Sequence, residues 1–232
     1  MDNINYLAPD DNSPYLSGVP AWVSNKDRKK PRIVQLHGAS GSGKTTLVRA
    51  LMEAWGPVED VMKPEYQRKP VAQVIYNAPN RPLVLVGHYY AACGGADTLK
   101  SRHVPYLIAK EALDLGYDVL LEGIFLSVEV HRVKALQEAG YDRHNVFLDV
   151  PIEWCEESVQ RRREAAGKER RPLKQMEAYH PRIMWTKKRL EEAGVSNLYA
   201  PALHNVPASQ TPEQIASWTR EWALEVTKEL LK

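Results

Sequence analysis

The stretch Gly38-Ala39-Ser40-Gly41-Ser42-Gly43-Lys44-Thr45 constrains this chain more than any other part of it. It matches G-x-x-x-x-G-K-[ST], and each residue type at that spacing has a physical reason. Glycines allow the sharp turn and let the backbone approach an anion without side-chain interference. Successive N–H groups then converge at a helix N-terminus, where the dipole favours negative charge. Lys44 carries a point charge to the β- and γ-phosphates of a nucleotide, and the Thr45 hydroxyl is placed to bind Mg2+. Residues 38 to 45, with Thr46, are therefore the expected nucleotide-binding set, with ATP and Mg2+ as the implied cofactors. Average residue usage puts a chance match in such a chain on the order of one in a hundred. The motif needs a strand before it and a helix after it. RIVQLH, 32 to 37, reads as that strand, and TTLVRALMEAW, 45 to 55, as that helix, stopped by Gly56-Pro57.

The rest of the chain alternates in the same way. VAQVIYN and PLVLVG read as strands separated by the turn signal Pro79-Asn80-Arg81-Pro82, with residues 58 to 70 as loop. HVPYLIAKEALDLG is an amphipathic helix and DVLLE a buried strand. Val128 to Ala139 is helix, and NVFLDV, 145 to 150, a buried strand closed by Pro151. Helices follow from Ile152 to Gly167 and from Lys174 or His180 to Ala193, with a last short strand within 198 to 206. Thr211-Pro212-Glu213 opens a terminal helix, with Thr211 as its cap. Strand–helix alternation implies an α/β fold of three layers, a mostly parallel sheet flanked by helices. Its ligands would sit beyond the carboxyl ends of the strands. Residues 1 to 31, interrupted by four prolines, read as an irregular N-terminal arm preceding one domain over 32 to 232.

Composition sets limits. No apolar run reaches the roughly 18 residues needed to cross a membrane. The start MDNINYLAPDDNSP lacks the basic and apolar regions of a secretory signal, so a cytoplasmic protein is expected. Two cysteines, Cys93 and Cys155, make a disulfide framework unexpected, and Cys93 reads as a small buried hydrophobe. The net charge of +2 does not indicate nucleic acid by itself. The positive charge is clumped, however, in Lys26 to Lys30, Arg161 to Arg171 and Lys187 to Arg189.

Strand ends supply the remaining candidates. Glu122 ends DVLLE before Gly123 and is the preferred second anchor for Mg2+ beside Thr45, ahead of Asp149. HYYAACGGAD, 88 to 97, interrupts the pattern with two glycines. His88, Tyr89, Gly94, Gly95 and Asp97 form the expected acceptor side. Asp97 is the candidate to take a proton from an acceptor hydroxyl; a helix cap is the structural alternative. Tyr89 and Tyr90 suit either base stacking or the core. The run Arg161-Arg162-Arg163 with Arg170 and Arg171 reads as an Arg-rich lid over about 161 to 182. Arg162 and Arg163 stand as its catalytic members beside Lys44, Asp97 and Glu122.

Over residues 32 to 195 this layout resembles the P-loop nucleoside and nucleotide kinases, with a thymidylate-kinase-like plan. More narrowly, IVQLHGASGSGKTTLVR, VGHYYAACGGADTL and DVLLEGIFLS resemble the bacteriophage kinases that phosphorylate 5-hydroxymethyluracil in DNA. In that family the phosphorylated hydroxymethyl group becomes a leaving group for further base modification. The resemblance implies nucleotide and metal roles for Lys44 and Thr45, an acceptor-side role for Asp97, and DNA containing 5-hydroxymethyluracil as partner. An Arg-Glu-Pro-Gly-like turn, the thymidylate-kinase acceptor signature, is absent after the second strand. Kinases acting on a free nucleoside or nucleotide, or on a 5′-hydroxyl nucleic-acid end, remain the rival readings. A GTP switch fits poorly, because Asn25-Lys26-Asp27-Arg28 lacks the guanine-reading final Asp and precedes the loop.

Overall fold

The computed structural model describes residues 14–22, 30–172, 174–201 and 210–232. Strand β1 (Arg32–His37) is buried along its whole length, between β5 (Asp118–Glu122) and β6 (Asp142–Phe147) and parallel to both. Burial on both faces is why the centres of β1 and β5, Ile33-Val34 and Val119 to Leu121, are apolar. The sheet continues with β4 (Leu83–Val86) parallel to β5, and with β7 (Leu198–Tyr199) parallel to β6. β3 (Ala72–Ile75) and β2 (Val58–Val61) finish the other edge, antiparallel, giving the order β2-β3-β4-β5-β1-β6-β7.

Two readings of the sequence need correction. Residues 58 to 70, expected as loop, contain β2. An edge strand can carry Glu59 and Asp60 in solvent, and those acids hid it. β6 begins at Asp142 and ends at Phe147, earlier than NVFLDV suggested. Its first residues are polar because they pair locally: Asp142 lies 3.3 Å from Arg32 and 3.1 Å from His144.

Helices cover both faces. On one, α2 (Val104–Asp114) packs Tyr106 and Ile108 over Ile33, Val84 and Val119. On the other, α1 (Lys44–Trp55) and α6 (Pro212–Leu230) bury Leu47, Val48, Leu51, Ala216 and Ala223 against Val34, Leu36 and Leu120. Thr211 caps α6 as expected, in a capping box: its Oγ1 accepts from Gln214 N at 3.3 Å and its N–H donates to Gln214 Oε1 at 2.8 Å. α3 (Val130–Glu138), α4 (Ile152–Ala165) and α5 (Lys174–Glu192) complete the layers. The described part of the N-terminal arm is irregular but docked. Tyr15 and Leu16 are buried, and their N–H groups donate to the Glu111 carboxylate at 2.8 and 3.0 Å. Of the KDRKK run, residues 26 to 29 lie outside the described residues.

Under the carboxyl end of β1 lies a buried polar layer. His37 stacks on Phe147 with centroids 4.4 Å apart, and its Nε2 meets Asn145 Oδ1 at 3.1 Å. Burial drives this imidazole down to about 3, so it stays neutral and structural. Gln35 donates to Leu126 O at 3.0 Å, which pins the short 3-10 turn Leu126–Val128 to the sheet. Ser127 in that turn accepts from Gly38 N at 3.3 Å and donates to Gly123 O at 2.8 Å. One hydroxyl thus joins the start of the phosphate loop to the residue after Glu122.

Candidate active site

β1, β4 and β5 all end at one rim of the sheet, and each delivers part of a cleft of about 360 Å³. β1 feeds the phosphate loop, whose last glycine, Gly43, has φ 101° and begins α1. A Cβ there would lie 2.4 Å from Arg220 Cδ, so the bare backbone also makes room for an arginine from α6. Lys44 folds over the loop and donates to Gly38 O at 2.7 Å and Ala39 O at 3.0 Å. A buried ammonium held only by two carbonyls keeps its charge available to an arriving phosphate.

Thr45 Oγ1 donates to Glu122 Oε1 at 2.9 Å and accepts from Gly94 N at 3.4 Å. The first strand-end carboxylate, the loop threonine and the glycine pair therefore meet at one hydroxyl. Gly95 is required where it stands. Its φ is +71°, and a Cβ would sit 2.6 Å from Glu122 O and 2.7 Å from Glu122 Cγ. Glu122 is buried, and desolvation pushes its carboxyl up to about 7, against the pull of Lys44 and the Thr45 hydrogen bond; the nearby charge of Asp97 raises it further.

Asp97 lies across the cleft, on the 3-10 turn Ala96–Thr98. Its Oδ1 and Oδ2 accept from Ile124 N at 3.1 and 2.9 Å, which fixes the carboxylate against the loop after β5. The side chain is open to the cleft, yet the protein atoms crowding it raise its carboxyl above the usual range; Ile124 N–H and Lys44 oppose that. Asp97 sits inside this turn, whose N-cap position is Gly95, so it is not the cap of the turn. Asp97 also walls a second hollow of about 160 Å³, shared with Lys100, Arg102 and Phe125. A single carboxylate thus separates a cationic phosphate cleft from a smaller pocket with an aromatic wall.

The other expected residues divide. Ala39, Ser40, Gly41, Gly43, Lys44, Thr45, Thr46, Gly94, Asp97, Glu122 and Arg162 line the cleft; Gly38, Ser42, His88, Tyr89, Gly95 and Arg163 do not. Tyr89 is in the core, with its hydroxyl buried beside the two carboxylates and unpaired among the described residues. Burial first, then Glu122 and Asp97, keep that phenol protonated. Tyr90 is the exposed ring of the pair; it bonds Asp60 at 2.6 Å and stacks on buried His88. Cys93, expected to be buried, is exposed and lines the cleft. Asp149 does not reach Thr45; its carbonyl accepts from Thr219.

The arginine run is not one unit. Arg162 donates to Ala92 O at 3.3 Å and enters the cleft. Arg163 turns to Glu169 O at 2.8 Å and lines an adjoining hollow with Arg171 and Ser40. Arg161, on the exposed flank of α4, and Arg170, in the turn after it, both pair with Glu157, and Arg170 also with Glu164. On a helix, successive residues point about 100° apart, so one of three adjacent arginines faces the phosphate side.

Two cations escaped sequence reasoning. Arg49, one helical turn after Thr45, donates to Tyr89 O at 2.9 Å and also to Ala91 O, fastening the 89–91 segment over α1. Its i, i+4 spacing from Thr45 was the available signal. Arg220 is some 175 residues along the chain from Lys44 (220 against 44) and had none. Only the packing of α6 brings it to Gly43, where it also lies 5.9 Å over the Trp154 ring.

A phosphate loop leading from β1, a strand-end carboxylate held on its threonine and four cations around one cleft define a P-loop phosphotransferase. The chain belongs to the AAA-domain family, whose model matches residues 33–183. It is 38% identical over 168 residues to a 5-hmdU DNA kinase of Pseudomonas phage PaMx11, covering 72% of this chain and 88% of that protein. A 5-hmdU DNA kinase of Pseudomonas phage M6 is 30% identical over 139 residues, 56% of this chain and 72% of that protein. A solved structure from the PezAT toxin–antitoxin system of Streptococcus pneumoniae aligns over 87% of this chain and 86% of that chain, at 15% identity and a TM-score of 0.41. Among the described residues no helix is long and apolar enough to cross a membrane.

Proposed function

We propose that this chain transfers the γ-phosphate of ATP to the hydroxymethyl oxygen of 5-hydroxymethyluracil in DNA. The observation that carries the reading is the position of Asp97, between the phosphate cleft and the aromatic hollow, with its carboxylate fixed by Ile124 N–H. The names of the two phage relatives support the same acceptor.

In this reading the primary alcohol enters from the hollow and gives its proton to Asp97 as its oxygen attacks the γ-phosphorus. The new P–O bond forms as the bond to the β–γ bridging oxygen breaks, and negative charge grows on the departing diphosphate. The loop N–H groups, Lys44 and Arg162 lie where that charge develops. Thr45 Oγ1 and Glu122 Oε1, 2.9 Å apart, form an all-oxygen pair that would hold Mg2+ together with phosphate oxygens. Bound there, Mg2+ supplies neutralisation of the β- and γ-phosphate charge. The turn after α4, tied down by exposed Arg170 ion pairs that water screens, serves as the lid.

Arg220 belongs to the nucleotide side. It makes no ion pair or hydrogen bond among the described residues and faces the cleft beside Gly43. Arg220→Ala should raise the KM for ATP by about tenfold or more, as expected when one charge-assisted hydrogen bond is removed, with a smaller change in the KM for the acceptor. Steady-state kinetics with each substrate varied in turn checks this.

The acceptor is tested with γ-labelled ATP and 5′-phosphorylated oligonucleotides, so that no free 5′-hydroxyl competes. Label should enter the oligonucleotide bearing 5-hydroxymethyluracil and not its thymine counterpart. Label passing to free nucleoside alone would replace the DNA reading with the small-molecule one.

A further inference from the structure

We propose that a single DNA strand flanking the target base lies along a stacked row of side chains outside Asp97: Arg102, Phe125, Tyr179 and Arg182, ending at Trp185. This rests on the DNA-acceptor reading above and names the surface that holds the strand. The row is continuous although three chain segments build it. The Arg102 guanidinium lies 4.3 Å over the Phe125 ring. Phe125 meets Tyr179 edge to face, with centroids 6.0 Å apart and planes at 81°. Arg182, one turn further along α5, lies 5.3 Å over Tyr179. Trp185 follows three residues on, 67% exposed. The inner end of the row is the hollow that Asp97 shares with Arg102 and Phe125, so a strand on it leads to the carboxylate.

Charge pairing identifies the occupant. Within the basic clumps that stand out in the sequence, Lys187 pairs with Glu191, Lys188 with Glu192, and Arg161 and Arg170 with Glu157, while Arg162 and Arg163 turn to backbone carbonyls. Arg102 and Arg182 are exposed and have no carboxylate partner among the described residues. A guanidinium held over a ring still has N–H groups to offer a phosphate, and the exposed parts of the rings can meet bases. Arginines without carboxylate partners interleaved with aromatic rings suit an unpaired strand, whose bases can stack, rather than a duplex, whose bases are hidden.

The test is fluorescence anisotropy of a labelled single-stranded oligonucleotide carrying one 5-hydroxymethyluracil, titrated at several salt concentrations. The Arg102→Ala/Arg182→Ala double variant should bind at least tenfold more weakly at low salt. Its log K against log salt slope should shrink by about 1.4, roughly 0.7 for each phosphate that an arginine no longer neutralises. The control pair Lys187→Ala/Lys188→Ala, on the same helix but internally paired, should change affinity less than threefold. Melting temperature and ATP affinity report that the fold is intact. Equal losses in both pairs, an unchanged slope in the arginine pair, a duplex bound as tightly as the single strand, or an acidic peptide competing at equal concentration would each overturn the proposal. Phosphate transfer is measured in parallel. Salt-sensitive binding without transfer to 5-hydroxymethyluracil removes the acceptor reading and leaves the strand path standing. Transfer with binding unaffected by the arginine pair removes the path and leaves the acceptor reading.

Discussion

Asp97→Asn is expected to lower kcat by about three orders of magnitude while ATP affinity stays within a few-fold of the parent protein. The substitution is nearly isosteric, and an amide oxygen can still accept from Ile124 N, which Asp97 now meets at 2.9 Å. The segment 94–97 should therefore keep its place, anchored as it is by Gly94 N on Thr45 and by the close approach of Gly95 to Glu122. What the amide cannot do is take a proton. Crowding raises the Asp97 carboxyl above the ordinary range, which makes its ionised form a better base than a free aspartate. In the proposed reading nucleotide affinity comes from the loop, Lys44 and the arginines, and among the described residues none of these contacts the Asp97 side chain through a hydrogen bond. Single-turnover transfer together with nucleotide titration separates the two quantities. A variant that transfers at close to the parent rate means that Asp97 is not the base.

Most residues that the sequence proposed for the phosphate side do line the cleft, because that motif is local. The loop, its strand and its helix are contiguous, and Glu122 ends a strand whose apolar run is unmistakable. The sheet was legible for the matching reason: strands buried on both faces are mostly apolar, as β4 and the centre of β5 are. What stayed hidden was set by tertiary packing. β2 escaped because an edge strand tolerates acids, and Arg220 because α6 reaches Gly43 only after the whole sheet is assembled. His88 and Tyr89 looked like acceptor residues by position, but the antiparallel pairing of β3 with β4 turns them inward, where Gln73 Oε1 accepts from Tyr89 N at 2.9 Å. The hollow beside Asp97, proposed as the acceptor side, is instead walled by Lys100, Arg102 and Phe125, which no motif singles out. The arginine run misled in a similar way. Composition shows how many charges a segment carries, whereas pairing with Glu157 and Glu164 decides which of them are free.

Glu122→Gln should abolish most activity and yet stabilise the nucleotide-free protein. The buried carboxyl has its pKa raised from 4.5 to about 7, with desolvation the main cause. For an acid raised in this way, the folded state holds the proton that the unfolded state has already lost. Stability therefore falls as pH climbs from 4.5, and the penalty is complete above 7. A difference of this size corresponds to about 3 kcal/mol at pH 8 and about 1 kcal/mol at pH 5.5. Glutamine removes the charge, and its amide oxygen can still accept from Thr45 Oγ1. The variant should accordingly melt several degrees higher than the parent at pH 8 in EDTA, with the gap narrowing at pH 5.5. Adding Mg2+ and nucleotide should shrink or reverse the order, since the parent gains the binding free energy that the variant loses. Thermal melts at two pH values, with and without these ligands, read all of this without an activity assay. A variant less stable than the parent at pH 8 in EDTA would mean that the carboxylate is stabilised by its neighbours more than burial opposes it. The strain of holding a charged oxygen beside Thr45 would then not be the cost this site bears for its chemistry.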